Sequence, residues 1–488
     1  MQALIVIALI IPLCTAGVSM LLKNALYLRV VNTLGTFSLS GVLWATVYRV
    51  SAAGAFQSPL FYVDELSAVL LLVIAILSLT ATLFSFSYME KEIQDGHMPS
   101  SRLSWYYGML NVFVFTMIAL LVLENMGLMW VAVEATTLAS VLLVAFNRNK
   151  TALEAAWKYV MVCSVGICFA LLGTILLYYT QVNAAGQAAQ PLSWLQLKAL
   201  GTNLDPAMLK LAFVFILIGY GTKAGLAPMH TWLPDAHSQA PSPVSGLLSG
   251  SLLSCAMYVI IRSLAIVKGA LGLGFAHYLM IGFGLLSIAV AIPFIIVQHD
   301  IKRLLAYSSV EHMGLIAVGL GVGTPLAIYG ALLHTINHAV TKSALFYLAG
   351  SIIQYYHTKN IMRIRGLMQA MPIIGTLFTL LIVAIVGLPP FSVFTSKLTI
   401  AWASFERGTY TLGLIIMLLL AGVFAGMMFY CVKMTMGETS VTKKYQRQGK
   451  LSLAAVFGSL VIAVGGGFYI PAWLNGMLVR AAEIVAGG

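Results

Sequence analysis

Residues 412–430 read LGLIIMLLLAGVFAGMMFY, an apolar run without one charged side chain. Crossing the hydrocarbon core of a bilayer takes about 20 mostly apolar residues as a helix, with every backbone group hydrogen-bonded inside the segment. A membrane β-barrel would instead alternate polar and apolar residues over segments of about 10, and this run does not alternate. Outward from it the same template recurs, near 2–22, 29–48, 66–87, 105–123, 127–147, 156–180, 210–232, 243–262, 276–297, 303–322, 326–353, 371–401, 409–432 and 451–475. The expected fold is an all-α polytopic membrane protein with 14 transmembrane helices. Composition agrees: 60% of the 488 residues are hydrophobic, 9% are charged and the mean hydropathy is +0.95, against about 25% charged in an ordinary globular chain. A soluble enzyme is excluded. The five cysteines (Cys14, Cys163, Cys168, Cys255, Cys431) lie in apolar stretches with no CxxC spacing, which argues against a disulfide scaffold and against zinc or iron–sulfur ligation by cysteine in this chain.

The net charge of +12 is a matter of topology rather than of a nucleic-acid partner. Loops on the side opposite the N-terminus carry 17 basic residues: Lys23, Arg29, Lys91, Arg102, Arg148, Lys150, Lys158, Lys302, Arg303, Lys359, Arg363, Arg365, Lys433, Lys443, Lys444, Arg447 and Lys450. The N-terminal side carries 7, namely Arg49, Lys198, Lys210, Arg262, Lys268, Arg407 and Arg480. By the positive-inside rule both termini face out, as an even span count requires. The first basic residue, Lys23, follows the first apolar run, so that run reads as a retained span and not as a signal peptide.

Lys223, Lys342 and Lys397 are left over, deep in spans seven, eleven and twelve, and Glu134 lies inside span five. A charge there costs roughly 2.5–3.5 kcal/mol, so it is kept where it is paired, hydrated or used. In span eleven His334, His338 and Lys342 fall at i, i+4 and i+8 on one helical face, a stripe suited to relaying protons because imidazole titrates near neutral pH. Spans seven and twelve share a second anomaly. Aligned at Gly225 and Gly387, GLAPMHTWL and GLPPFSVFT lie 162 residues apart, each a Gly-Pro break in a span that bears a buried lysine. Matched breaks point to a transporter built from repeats with ion sites at the broken helices. Spans 4–8 and 9–13 are the expected repeats, the second inverted because five spans per repeat is odd. The chain then divides into an N-terminal three-helix segment (1–104), a first repeat (105–275, broken near 225–229), a second repeat (276–432, broken near 387–391) and a C-terminal loop with the last helix (433–488). Glu134 and Lys223 are expected to form an ion pair that opens and closes, with the proton passing through His334, His338 and Lys342 to Lys397.

The runs 221–250 (GTKAGLAPMHTWLPDAHSQAPSPVSGLLSG), 300–314 (DIKRLLAYSSVEHMG), 334–352 (HTINHAVTKSALFYLAGSI) and 387–397 (GLPPFSVFTSK) resemble the antiporter-like proton-translocating subunit family shared by respiratory complex I, Mrp antiporters and membrane-bound [NiFe] hydrogenases. Residues 133–148, 154–166 and the YSSVEHMG run are most similar to its hydrogenase-4 component F branch and formate hydrogenlyase relatives. The resemblance implies 14 helices with inverted five-helix repeats, Glu134 and Lys223 as the coupling pair, Lys342 as the central lysine of the second repeat and Lys397 as the exit-side group. It implies a chain without cofactors of its own. The NiFe centre and iron–sulfur clusters would sit in partner subunits, among other membrane subunits and a peripheral redox arm, in a bacterial or archaeal cytoplasmic membrane. Protons, or Na⁺, would be the cargo.

Complex I relatives carry a lysine in span eight where this chain has Ser254, so a continuous path must run through water with Ser254 or a histidine, or be interrupted. The chain also stops short of the long lateral helix of the largest complex I antiporter-like subunit. A second tier of candidates comprises His230, Asp235, His237, Ser254, Glu311 and His312. Asp235 and His237 are expected in a loop after the first break, Asp235 as a turn or cap residue or as a point of proton access. Glu311 and His312 either pair with Lys302 or Arg303 or belong to the path. Lys158 snorkels or pairs with Glu154, and Trp105, Tyr106, Tyr107, Tyr355 and Tyr356 are expected to anchor span ends at the membrane interface. Three other readings compete with the hydrogenase one: a complex I subunit, a cation/proton antiporter outside redox complexes, and a structural spacer.

Overall fold

Short polar side chains start eight of the twenty α-helices among the described residues. Asn24, Asp64, Asn125, Asn149, Ser193, Asp205, Asp300 and Thr324 each accept a hydrogen bond from the backbone N–H two or three residues on, satisfying donors that a helix leaves orphaned at its start. The computed structural model describes residues 1–186, 190–272, 274–438 and 449–487, and Lys443, Lys444 and Arg447 lie outside them. In the N-terminal half it forms α1 (Gln2–Leu21), α2 (Ala25–Ala53), α3 (Glu65–Gln94), α4 (Leu103–Val122), α5 (Met126–Val144), α6 (Lys150–Ala185), the short α7 (Trp194–Leu200), α8 (Pro206–Ala224), α9 (Trp232–Gln239), α10 (Ser242–Leu247) and α11 (Leu253–Leu271). There follow α12 (Phe275–Ile296), α13 (Ile301–Val322), α14 (Pro325–Tyr356), α15 (Leu367–Ala370), α16 (Pro372–Val386), α17 (Ser392–Glu406), α18 (Tyr410–Thr435), α19 (Lys450–Phe468) and α20 (Ala472–Ala486). Two strands of two residues, β1 (Phe56–Gln57) and β2 (Tyr62–Val63), pair antiparallel before α3.

Twelve helical segments among the described residues are long and apolar enough to cross a membrane. The spans expected over 326–353 and 371–401 are not among them. α14 has 32 residues, but His334, Asn337, His338 and Lys342 dilute its apolar character, and the other is split into α16 and α17, of 15 residues each. α14 runs through the centre of the molecule, touching α3, α10, α13, α16, α17, α19 and α20. At about 48 Å it is longer than the hydrocarbon core is thick. α1, α2, α12 and α18 turn large apolar side chains outward, where lipid takes the place of a core.

Both expected breaks are present and built alike. α8 ends on Gly225 and α16 on Gly387, each in the left-handed conformation at φ 77° and 89° that an L side chain rarely adopts. Each break holds one cis X-Pro bond, at Ala227–Pro228 and Pro389–Pro390. Freed backbone groups find partners: Leu226 N–H donates to the Gly221 carbonyl and Trp232 Nε1 to the Thr222 carbonyl, both within 2.9 Å. The second break is also covered by α19. A Cβ on Gly467 would overlap the Pro390 carbonyl oxygen, which is backbone and cannot swing aside. Gly467→Ala is therefore expected to lower stability by about 1–3 kcal/mol, the usual penalty for overpacking; thermal unfolding in detergent measures it, and an unchanged midpoint would contradict the close approach.

Several expectations need correction. Asp235 and His237 are not in a loop: the chain re-enters a helix at Trp232, and both lie in α9. Arg262 is not a loop residue. α11 runs nine residues past the expected end of span eight, to Leu271, so Arg262 is fully buried inside it. Lys302, counted with the loops, is also buried. Tyr106 and Tyr107 face the interior, and Tyr106 bonds Ser85 Oγ at 2.9 Å, so neither is an interfacial anchor. The reason is local: α3 passes over this face of α4 and shields it from lipid. The last span stops at Phe468, and α20 follows as a separate helix against α3, α11 and α14.

Candidate functional site: two lysine clusters at the helix breaks

Lys223 lies in the last turn of α8, fully buried, where the carbonyl end of a helix favours a cation. Its ammonium donates to Thr137 Oγ1 at 2.8 Å and Tyr159 Oη at 2.6 Å, and Tyr159 bonds Ser140 Oγ at 2.7 Å. Glu134 is half-buried one turn before Thr137 on α5, and accepts from Thr137 Oγ1 and Ser164 Oγ at 3.2 Å each. The expected direct Glu134–Lys223 ion pair is thus replaced by a threonine bridge. Glu134 and Thr137 share one face of α5 at i, i+3, and the hydroxyl reaches the ammonium first. Such a hydroxyl accepts from the ammonium while donating to the carboxylate, which leaves the two charges one hydrogen bond short of contact.

The second cluster joins α13, α14 and α17. Lys397 Nζ lies 3.0 Å from Glu311 Oε1 and 3.3 Å from the Val386 carbonyl at the end of α16. Lys223 stands two residues before its break and Lys397 ten after, yet Lys397 folds back so that its ammonium reaches the carbonyl end of the first half-helix. Gly387 makes this possible, because a Cβ there would lie 2.9 Å from Lys397 Cδ. His312 Nδ1 bonds His334 Nε2 at 2.9 Å, and His334 Nδ1 bonds Ser396 Oγ at 2.9 Å. The His338 ring lies 4.9 Å from His312, and neither of its nitrogens has a hydrogen-bond partner. Lys342 donates to Ser308 Oγ at 2.7 Å. His334, His338 and Lys342 lie fully buried along one face of α14, but among the described residues no hydrogen bond links one to the next. Glu311 and His312 are part of this cluster, and neither of the cations weighed for them is their partner. Lys302 caps the Ala240 carbonyl and Arg303 pairs with Asp235, because both basic side chains lie two turns or more back along α13, toward α9.

The two clusters are not joined directly. Ser254 Oγ donates to the Gly250 carbonyl within its own helix and reaches neither lysine. The polar line from Lys342 continues instead through the Leu305 carbonyl to Ser309 Oγ, and from there 2.7 Å to Ser249 Oγ, in a π-turn at Leu248–Leu252. Among the described residues no hydrogen bond carries it on to Lys223 or Tyr159. His230 packs its ring edge-on to Phe294 and Tyr307. Asp235 ties α9 to Arg303 and Lys158, and Lys158 also pairs with Glu154 at 2.6 Å. His237 is fully buried, stacked 4.9 Å from Phe346, with both nitrogens unpartnered. A polar cavity of about 240 Å³ is lined by Glu92, Ser238, Lys302, Gln354 and Lys359. Lys359 Nζ caps the Ser238 carbonyl at 2.6 Å, and burial pushes its ammonium below the ordinary lysine value.

The sequence reading passed over Thr137, Tyr159, Ser164, Ser308 and Ser396. Two of these carried a signal: Thr137 sits at i+3 from a buried carboxylate, and Ser396 adjoins Lys397. It also passed over a buried pair away from the breaks. Asp64, the N-cap of α3, makes two hydrogen bonds to the Arg262 guanidinium at 2.5 and 2.6 Å, both side chains fully buried. Burial alone would raise the Asp64 carboxyl, and the guanidinium more than offsets this, holding it below the usual carboxylate range. The described residues contain no group of three or more His, Cys, Asp and Glu able to hold a metal ion.

Residues 124–424 match the family described as NADH:quinone oxidoreductase/Mrp antiporter, transmembrane, and residues 52–96 match the N-terminus of chain 5 of NADH-ubiquinone oxidoreductase. A hydrogenase-4 component F homolog from Methylacidiphilum infernorum is 36% identical over 90% of this chain and 91% of its own length. Among solved structures, a chain of the archaeal membrane-bound sulfane sulfur reductase superposes with a TM-score of 0.87 at 23% identity, over 99% of this chain and 97% of that one. A chain of respiratory complex I from Thermus thermophilus superposes with a TM-score of 0.82 at 21% identity, over 99% of both. At these identities the two superpositions speak for the fold alone.

Proposed function

Because the chain belongs to the NADH:quinone oxidoreductase/Mrp antiporter transmembrane family, we propose that it is the proton-translocating, antiporter-like subunit of a hydrogenase-4/formate hydrogenlyase-type [NiFe] hydrogenase complex. The observation that carries this reading is the pair of buried lysine clusters. Each places a buried lysine at a broken helix, Lys223 in the last turn before the first break and Lys397 bonded to the last carbonyl before the second, with a carboxylate from the second helix of the same repeat nearby: Glu134 with Lys223, and Glu311 with Lys397. Redox chemistry in partner subunits drives charge movement along Glu134, Lys223, Lys342, His338, His334 and Lys397. Four mid-membrane ionisable groups are more than a spacer would keep. The 36% identity to a hydrogenase-4 component F homolog favours the hydrogenase complex over an NADH:quinone oxidoreductase or a Mrp-like cation/proton antiporter.

In this reading α14 and the α16–α17 pair complete a set of 14 spans in two inverted repeats, 105–275 and 276–432, with both termini outside a bacterial or archaeal cytoplasmic membrane. The NiFe centre and iron–sulfur clusters belong to the peripheral arm, and the carried ion is H⁺, with Na⁺ as the alternative. Purifying the tagged chain with its native partners and assaying everted vesicles tests the reading. Nickel in the purified complex and hydrogenase-coupled vesicle acidification are expected. An NADH-binding arm would move the chain to the complex I class, and Na⁺-dependent exchange without redox partners to the antiporter class.

A further inference from the structure

Among the described residues, the charged and titratable groups recorded against Glu311 belong to the second cluster. Glu311 is fully buried at the middle of α13. From α17, Lys397 Nζ lies 3.0 Å from its Oε1. From its own helix, His312 Nε2 lies 3.2 Å from its Oε2, but without the alignment of a hydrogen bond, so both atoms are left unpartnered. From α14 come His334, bonded to His312 at 2.9 Å, His338 with its ring 4.9 Å from His312, and Lys342 within electrostatic reach. The line from Ser396 through His334 and His312 to Glu311 and Lys397 therefore has one open link, and closing it takes a side-chain rotation rather than a movement of helices. A carboxylate serving only to fasten α13 to α17 would turn both oxygens to donors, because a buried acceptor left unpaired is costly.

We propose that Glu311 is the proton-exchange group of the second half, passing protons between the His312–His334 pair and Lys397. The proposal rests on the proton-translocating reading above. With His312 as imidazolium, rotation aligns Nε2–H with Oε2; the proton moves to Glu311, leaving neutral imidazole and a neutral carboxylic acid. The neutral acid no longer holds the Lys397 ammonium, which gives its proton to the path beyond. Glu311 then transfers its own proton to the Lys397 amine and the carboxylate–ammonium pair re-forms. One proton has left His312 and one has left Lys397, with no net change at Glu311. The second cluster can thus switch its own charge pair, even though Ser254 supplies no titratable link to the first.

The test uses the intact complex in everted vesicles with three variants: Glu311→Gln, the doubly neutral Glu311→Gln/Lys397→Gln, and Lys223→Ala as reference. Glu311→Gln and the double variant are both expected to lower proton translocation about 100-fold, the low end of what a positioned proton-transfer group contributes. The infrared difference spectrum of turnover against rest is expected to contain a protonated-carboxyl band that Glu311→Gln deletes. A merely structural pair predicts the opposite, with the double variant restoring both assembly and transport and no carboxyl band changing. If Lys223→Ala stops transport while Glu311→Gln or the double variant transports at the wild-type rate, this assignment is overturned and the broader reading stands. If Lys223→Ala transports normally, the broader reading falls. Should Glu311→Gln not assemble, Glu311→Asp decides: it keeps the charge but shortens the reach, so slowed transport supports the role and a wild-type rate overturns it.

Discussion

Vesicles carrying Lys223→Ala are expected to retain the redox activity of the complex while losing proton translocation by about 100-fold or more. The ammonium is fully buried and is held by two hydroxyls instead of a carboxylate, Thr137 at 2.8 Å and Tyr159 at 2.6 Å. The charge on a buried lysine held by neutral groups responds to small changes in the charge nearby. In the proposed mechanism Glu134 supplies that change through one shared hydroxyl. Thr137→Val, which removes the bridge and leaves both charges in place, is expected to slow transport while shifting unfolding by only about 1 kcal/mol. Assembly should survive in both variants, because Lys223 makes no ion pair whose loss would strand a buried opposite charge. Proton-to-electron ratios checked beside blue-native gels decide the matter. A wild-type ratio in Lys223→Ala would overturn the proton-translocating reading.

Arg262→Ala should do the reverse, damaging the fold rather than the transport chemistry. Its guanidinium makes both hydrogen bonds to Asp64 in a site with no exposure on either side, and it stacks against Trp194 at 4.4 Å and Tyr258 at 4.9 Å. Removing one partner strands the other as an uncompensated charge, a loss of about 3–5 kcal/mol. The pair joins the start of α3 to α11, so the N-terminal three helices are expected to loosen from α11. Accelerated proteolysis in the 54–64 connection and a lowered thermal midpoint in detergent would report this. A double change to Asp64→Leu/Arg262→Met should recover much of the stability, since well-packed apolar replacements of a buried pair are often neutral or better. Failure of the double variant to improve on Arg262→Ala would mean that the ring contacts, and not the charge pair, hold this joint.

Membrane character, most span positions, both helix breaks and the Lys223, Lys342 and Lys397 trio were legible in the sequence for one reason. Inside lipid a charge or a Gly-Pro break is expensive, so it stands out against an apolar background without knowledge of its neighbours. Partners were not legible. Nothing in one dimension tells whether Glu134 reaches Lys223 directly or through Thr137, and a separation of 86 positions hides the contact of Glu311 with Lys397. Arg262 was misplaced because a basic residue near a span end looks the same whether the helix stops there or runs on to Leu271. Local composition determined which residues must be hidden from lipid. Only the packing of α13, α14 and α17 at the second break decided which of them meet, since hydrogen bonds at 3 Å depend on where helices distant in sequence cross.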